Sequence, residues 1–267
     1  MLKELPQKIR LTYRNGIRYL PLLKNLIARE LKKKYRQNLL GYVWCVLSPL
    51  LILIIMTIVF SRLFNRSIEN YPVYLFSGRI MFTFITDCGG VMLASIVGNA
   101  QLMRKTRIPY YVFPLSAMGS SVVNFLFQFA ALLIVLVFTG TIPDYHVISF
   151  PLVCLETCMF SFGMGMILAV AYIFIRDVRY LYSVFTTAWL YLTAIFYPIS
   201  VLPDWLSRIV RWCNPAYYYV DMSRSIFWLH EWPSGAMLLR GGLVGLVFAV
   251  IGLVMYSKVK KNLILYV

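Results

Sequence analysis

The sequence is poor in charge, and above all in acids. Asp and Glu number 10 against 26 Lys and Arg, and charged residues make up 13% of the 267-residue chain. A water-soluble domain carries about a quarter charged residues, so this chain lacks the polar surface that would coat a soluble globule. Histidine is nearly absent. His146 and His230 stand far apart, in neither an HExxH nor a Ser/His/Asp spacing. Five cysteines (Cys45, Cys88, Cys154, Cys158, Cys213) show no CxxC spacing and lie mostly in apolar runs. That argues against a disulfide framework and against a metal site. No glycine is followed by lysine, so the phosphate-cradling GxxxxGK[ST] loop is missing. No cofactor is expected on this chain, and energy must come from an ion gradient or another subunit. Internal repeats and low-complexity tracts are also missing.

What is present is apolar. Hydrophobic residues reach 60% and mean hydropathy is +0.73. A helix needs about 20 apolar residues to cross a bilayer, and six runs qualify: 43–60, 72–97, 115–138, 147–175, 181–196 and 241–256. The sequence predicts an all-α integral membrane protein with one membrane domain. Residues 1–42 carry eleven Lys/Arg and no long apolar run, so no cleaved signal peptide is expected. With the N-terminus inside and alternating spans, the inner segments hold 19 Lys/Arg and the outer ones 6. The positive-inside rule then places both termini in the cytoplasm. The net charge of +16 is a topology signal on this reading, and nucleic acid is not an expected partner.

Residues 22–39 read as a basic amphipathic helix of the kind that lies in the headgroup plane. Leu22, Leu23, Leu26, Ile27, Leu31 and Tyr35 share one side, and Lys24, Arg29, Lys32, Lys33 and Arg36 the other. Residues 197–240 are too long for a turn and too aromatic for a solvated loop. They hold Trp205, Trp212, Trp228, Trp232 and Tyr217-Tyr218-Tyr219. Asn214-Pro215 has the form of an N-cap followed by proline at the first helical position, and Asp204 is positioned to cap a helix before it. Two short helices re-entering the outer leaflet are predicted.

Three ionisable residues fall inside spans, where they are functional candidates. At ~1.5 Å per residue, Arg79 lies roughly 10 Å and Glu156 roughly 13 Å from the outer ends of their spans, a depth that allows an ion pair. Asp87 is deeper, level with Asn124 and Gln128. In the fifth span Tyr182, Phe185, Trp189 and Phe196 fall on one face at about 100° per residue, with Tyr191 opposite. Such a face suits either helix packing or a ring-lined passage for sugars.

Several stretches together resemble the polysaccharide-export permeases of the type-2 ABC transporter class. They are Arg29-Glu30-Leu31-Lys32 with Tyr35-Arg36, Leu40-Gly41, Trp44 and Pro49; RKTRIPYYVFPLS from Arg104 to Ser116; Arg176-Asp177; Phe196-Tyr197-Pro198-Ile199 with Pro203; and Asn214-Pro215. The chain departs from the family at Ile108-Pro109-Tyr110-Tyr111, where members often carry an aromatic-Pro-Arg-Glu run. The resemblance implies a multi-pass permease of the bacterial cytoplasmic (inner) membrane. It implies a homodimer with two separate ATP-binding-cassette subunits that hold ATP and Mg. It implies a substrate on an undecaprenyl-type lipid, moved to the outer leaflet.

The resemblance also distributes roles. Contact with the ATPase falls in 101–114, on Arg104, Lys105, Arg107, Ile108, Pro109 and Tyr110, with Arg176 and Asp177. The carrier-lipid headgroup falls to Arg29, Lys32, Lys33, Lys34 and Arg36. The pathway takes Tyr182, Phe185, Trp189, Phe196 and Tyr197, and the outer gate in 197–235 takes Trp205, Trp212, Asn214, Pro215 and Tyr218. The alternatives are a type-2 ABC permease for a drug, lipid or small glycoconjugate, a membrane-embedded glycosyltransferase or acyltransferase built around Asp144 and His146, and an ion-coupled transporter.

Overall fold

The computed structural model describes the backbone of residues 7–35, 41–64, 68–105 and 108–260, and the side chains of 19–35, 41–60, 68–105 and 108–260. Among these residues the chain is helical. The helices are α1 (Gln7–Tyr35), α2 (Trp44–Phe64), α3 (Tyr71–Ser95), α4 (Ala100–Lys105), α5 (Val112–Thr139), α6 (Phe150–Phe174), α7 (Val178–Leu192), α8 (Asp204–Cys213), α9 (Pro215–Phe227) and α10 (Gly235–Val259).

Four stretches are long and apolar enough to cross a membrane: 41–60, 112–139, 145–174 and 235–259. A fifth arises if α3 and residues 97–105, bent by 45° at Ile96, count as one span. The remaining expected span, the fifth in chain order at 181–196, differs. Its helix α7 has 15 residues and a length of ~22 Å at 1.5 Å per residue, short of the ~30 Å hydrocarbon. The chain leaves the helix at Thr193, and Ala194 takes a left-handed φ of 52°.

Helix α3 sits at the centre, buried on nearly every side by α5, α6 and α9. Helices α6 and α10 pack most closely of all. Gly163 lies against the backbone of Phe248 and Ala249, and an added Cβ would overlap both. Small residues let helix backbones approach where no hydrophobic effect drives them together. The outer faces of α2 (Leu51, Ile54, Ile55, Ile58) and α10 (Leu243, Leu246, Val247, Val250) remain exposed and apolar. In water such surface would aggregate; in lipid it is solvated.

The amphipathic helix begins earlier than predicted, at Gln7, with Pro21 inside it; residues 36–39 lie outside the described residues. Its apolar face is the predicted one. Leu26 and Tyr35 are buried, while Lys24, Arg29, Lys32, Lys33 and Lys34 are exposed. It covers protein and not only lipid: Leu26 joins a cluster with Ile96, Met103, Val112, Phe113, Ala169 and Ile173.

Candidate functional site

The end of the bundle covered by α1 gathers the basic candidates. Lys32 and Lys33 are exposed. Arg29 and Lys34 are already engaged. Arg29 Nη2 donates to Asn99 Oδ1 at 2.6 Å and to Glu30 Oε1 at 3.0 Å. Lys34 Nζ lies 3.7 Å from Asp87 Oδ1. Arg36 falls outside the described residues.

The proposed ATPase contacts occupy the same end. Arg104 and Lys105 close the short helix α4 and are exposed. Ile108 and Tyr110 are half-buried against the Leu26 cluster, beside Tyr256 and Val259 of α10, with Pro109 between them. Arg107 lies outside the described residues. Arg176 and Asp177 form the exposed turn between α6 and α7, with Arg176 over the Tyr172 ring at 5.2 Å. Ile173, just before that turn, belongs to the same cluster. One packed unit therefore connects α1, the 108–110 segment, α6 and α10.

Asp87 stands where its depth predicts. Its Oδ2 accepts from Ser121 Oγ at 3.2 Å and from Asn124 Nδ2 at 3.4 Å, and Tyr35 OH donates to Asn124 Oδ1 at 3.0 Å. Asp87, Asn124 and Tyr35 line a cavity of about 470 Å³ between α1, α2, α3 and α5, which also takes in Gln128 and Arg79.

The expected Arg79–Glu156 pair does not form. Arg79 Nη1 and Glu156 Oε2 are both buried without a hydrogen-bond partner, and Arg79 is in none of the ion pairs among the described residues. Arg79 shares the cavity face of α3 with Phe76, Ile80, Thr83 and Asp87. Glu156 points from α6 at α10, where an added Cβ on Gly241 would meet its Oε2 at 2.8 Å. Depth matched, but the two side chains leave their helices in different directions.

The aromatic face is partly rearranged. Tyr182, Phe185 and Trp189 do share one side of α7, lining a largely apolar cavity of about 440 Å³ with Phe160, Leu206 and Phe248. Phe185 keeps an exposed ring, while the other two are engaged by protein. Trp189 is buried, its Nε1 donating to Asn214 Oδ1 at 2.7 Å, and Tyr182 OH donates to Thr86 O at 2.9 Å. Phe196 lies beyond the end of α7, buried and stacked on Phe60 at 5.3 Å. Tyr191, on the opposite side, is exposed, as are Tyr180, Leu181 and Val184.

Asn214 explains the Asn-Pro motif. It caps α9 by accepting from Ala216 N at 3.1 Å, and its Nδ2 donates to Thr193 Oγ1 at 3.0 Å. One side chain thus ties the end of α7 to the start of α9. Helix α8 begins at Asp204, with Pro203 as the capping residue. Trp205, Ile209 and Trp212 form its exposed face, and Arg240 lies over the Trp212 ring at 3.9 Å. Tyr218 OH donates to Trp212 O.

The sequence reading missed the hinge after α7. Four successive carbonyls there accept from side chains. Arg224 Nη2 donates to Ala194 O at 3.2 Å and Ile195 O at 2.7 Å. Tyr71 OH donates to Phe196 O at 2.9 Å, and Tyr74 OH to Tyr197 O at 2.9 Å. Arg224 also donates from Nε to Tyr74 O at 3.3 Å, with its guanidinium over the Tyr74 ring at 3.8 Å. Counted by sequence as a charge of the outer segment, Arg224 is buried on α9. Its signal was there: a lone cation in the aromatic-rich run 215–228. Irregular backbone at membrane depth persists only where protein satisfies its polar groups, and these residues do so.

Asp144 faces His230, with Oδ2 and Nδ1 3.2 Å apart, and not His146. The pair on which an acyltransferase reading rested is therefore not assembled. Among the described residues no group of three His, Cys, Asp or Glu is placed to hold a metal ion.

Exposed apolar flanks, a bent central helix and a side-chain-capped hinge define a multi-pass helical membrane protein. The chain belongs to the ABC-2 type transporter family, whose profile matches residues 21–228. It is similar to the O-antigen export system permease protein RfbA of Myxococcus xanthus, 29% identical over 86% of this chain and 88% of that protein. A Klebsiella pneumoniae protein of the same name is 27% identical over 94% of this chain and 96% of its own. The polysialic acid transport protein KpsM of Escherichia coli is 21% identical over 86% and 90%.

Proposed function

We propose that this chain is the transmembrane subunit of an ATP-driven exporter that carries a lipid-linked polysaccharide from the cytoplasmic to the outer leaflet of the bacterial inner membrane. The observation that carries the reading is the near end-to-end likeness to proteins named as O-antigen export permeases. On this reading the permease works as a homodimer with two ATPase subunits, which hold the ATP and Mg that this chain has no P-loop to bind.

The packed unit at the α1 end supports the coupling role. A push on Arg104, Lys105, Arg107 and the Ile108-Pro109-Tyr110 segment would be passed by close packing to α1, α6 and α10, because packed cores transmit strain. Arg176 and Asp177 offer a second contact. The exposed side of α7, with Tyr191, and the Trp205–Trp212 face of α8 are the surfaces left for a second copy or for the polymer. Lys32, Lys33 and Arg36 attract anionic headgroups at about 1 kcal/mol each near a membrane surface.

The test is a deletion strain of the source organism complemented with the chain, with its ATPase purified alongside. Surface polymer should vanish on deletion, return with the unaltered chain, and fail to return with Ile108→Asp, while the variant still inserts. The purified chain alone should hydrolyse no ATP. Full surface polymer in the deletion strain, or hydrolysis by the chain alone, would refute the reading.

A further inference from the structure

The cavity between α1, α2, α3 and α5 contains an imbalance of charge. Among the described residues that line it there is one carboxylate, Asp87, which is engaged by Lys34, Ser121 and Asn124. Its other cation, Arg79, sits two helical turns further along α3, roughly 12 Å away, with Nη1 buried and unpartnered. Glu156, the acid expected to neutralise it, faces α10. A guanidinium held in a membrane-embedded site without a counter-ion is a functional feature by default. Its planar fork suits phosphate or carboxylate oxygens.

The rest of the lining narrows the choice. Ser48, Thr83 and Gln128 also reach the cavity, and each can donate a hydrogen bond to an anion there. Between the polar groups the wall is apolar, from Trp44, Pro49, Ile52 and Phe76. The volume of about 470 Å³ exceeds what an inorganic phosphate fills. Helix α2, which forms one wall, turns an apolar face outward.

We propose that this cavity is an anion site that takes the phosphate or diphosphate end of an amphiphile, with Arg79 as its charge partner. The site moves headgroup recognition from the exposed lysines of α1 to a built cavity beside them. It deepens the export reading and rests on it only for which amphiphile is carried.

Binding is measured with the purified full-length chain in dodecyl maltoside, a phosphate-free detergent, by calorimetric titration. The probes are farnesyl diphosphate, inorganic pyrophosphate, farnesol and glucuronate. Farnesyl diphosphate should bind at least tenfold more tightly than pyrophosphate, and farnesol and glucuronate should not bind. Arg79→Gln should lose at least tenfold in affinity for farnesyl diphosphate, Arg79→Lys less, and Lys258→Gln, exposed on α10 away from the cavity, under twofold. Equal affinity for pyrophosphate would overturn the amphiphile in favour of a free phosphate. Equal affinity for glucuronate would overturn the phosphate class. Unchanged affinity in Arg79→Gln would overturn the site.

Should that variant not fold, phenylglyoxal labelling of Arg79 in the unaltered protein gives the same answer. Farnesyl diphosphate should slow it at least threefold and farnesol should not; no protection refutes the site. Neither measurement needs the ATPase or the polymer. Failure here therefore refutes the cavity alone, while a chain that binds the probe but restores no surface polymer refutes the export reading alone.

Discussion

Arg224→Met removes the centre of the hinge while keeping a long side chain. The Ile195 carbonyl loses a 2.7 Å bond from a charged donor, a kind worth about 1.5–3 kcal/mol. The bonds to Ala194 O and Tyr74 O, at 3.2 and 3.3 Å, are longer and count for about half as much each. Stacking over Tyr74 at 3.8 Å adds about 1–2 kcal/mol. Against this, taking a charge out of a buried site relieves several kcal/mol of desolvation. The carbonyls at 194 and 195 then have no donor, and both residues are buried from water. The net expectation is a loss of about 3–5 kcal/mol, close to what breaking a buried polar network costs elsewhere.

Arg224→Lys keeps the charge but not the fork, and should lose about half of that. The assay is reversible unfolding of the full-length chain in mixed micelles, followed by tryptophan fluorescence. Limited proteolysis should show new cleavage in residues 193–203. An Arg224→Met protein within about 1 kcal/mol of the unaltered chain, with the 193–203 segment still protected, would refute the account of the hinge.

Other expectations follow from single contacts. Gly163→Ala forces a methyl into the Phe248–Ala249 backbone and should destabilise by about 1–3 kcal/mol or more, read in the same unfolding assay; a neutral result would mean that α6 and α10 are not that close. Asn214→Ala removes the α9 cap and leaves the Trp189 indole without its partner, while the Thr193 hydroxyl keeps its bond to Trp189 O, an expected cost of about 2–4 kcal/mol, with a shifted Trp189 emission as the second readout. Since Arg79 and Glu156 do not meet, a double-mutant cycle between them should be additive within about 0.5 kcal/mol; a coupling above 1 kcal/mol would show that they do. In a Cys-free background, a water-soluble thiol reagent should label a cysteine at position 191 faster than one at 189, because Tyr191 is exposed and Trp189 buried; the reverse order would restore the passage face first read from helical spacing.

The sequence alone determined what depends on neighbours along the chain or on bulk composition. Charge scarcity and long apolar runs required a helical membrane protein, because backbone groups in lipid have no partner except each other. The apolar face of α1, from Leu22 to Tyr35, was legible because 3.6 residues per turn fixes which side chains share a side. Asn214-Pro215 was legible as a helix start because capping is local chemistry. Asp87 was placed level with Asn124 because position along a helix follows from residue count.

Tertiary structure decided everything that depends on direction around a helix and on where a helix stops. Arg79 and Glu156 agree in depth, yet one faces α2 and α5 and the other α10; residue count along a span does not tell which neighbour a face will meet. Phe196 shares a helical face with Trp189 only if α7 continues, and it ends at Leu192. The carbonyls released there are held by Tyr71, Tyr74 and Arg224. These lie more than a hundred residues before the hinge or on the second helix after it. Pro198 marks the end of the span to within a few residues, but no local pattern shows that the helix stops already at Leu192, because the hydrogen bonds that make the early break affordable come from elsewhere in the fold.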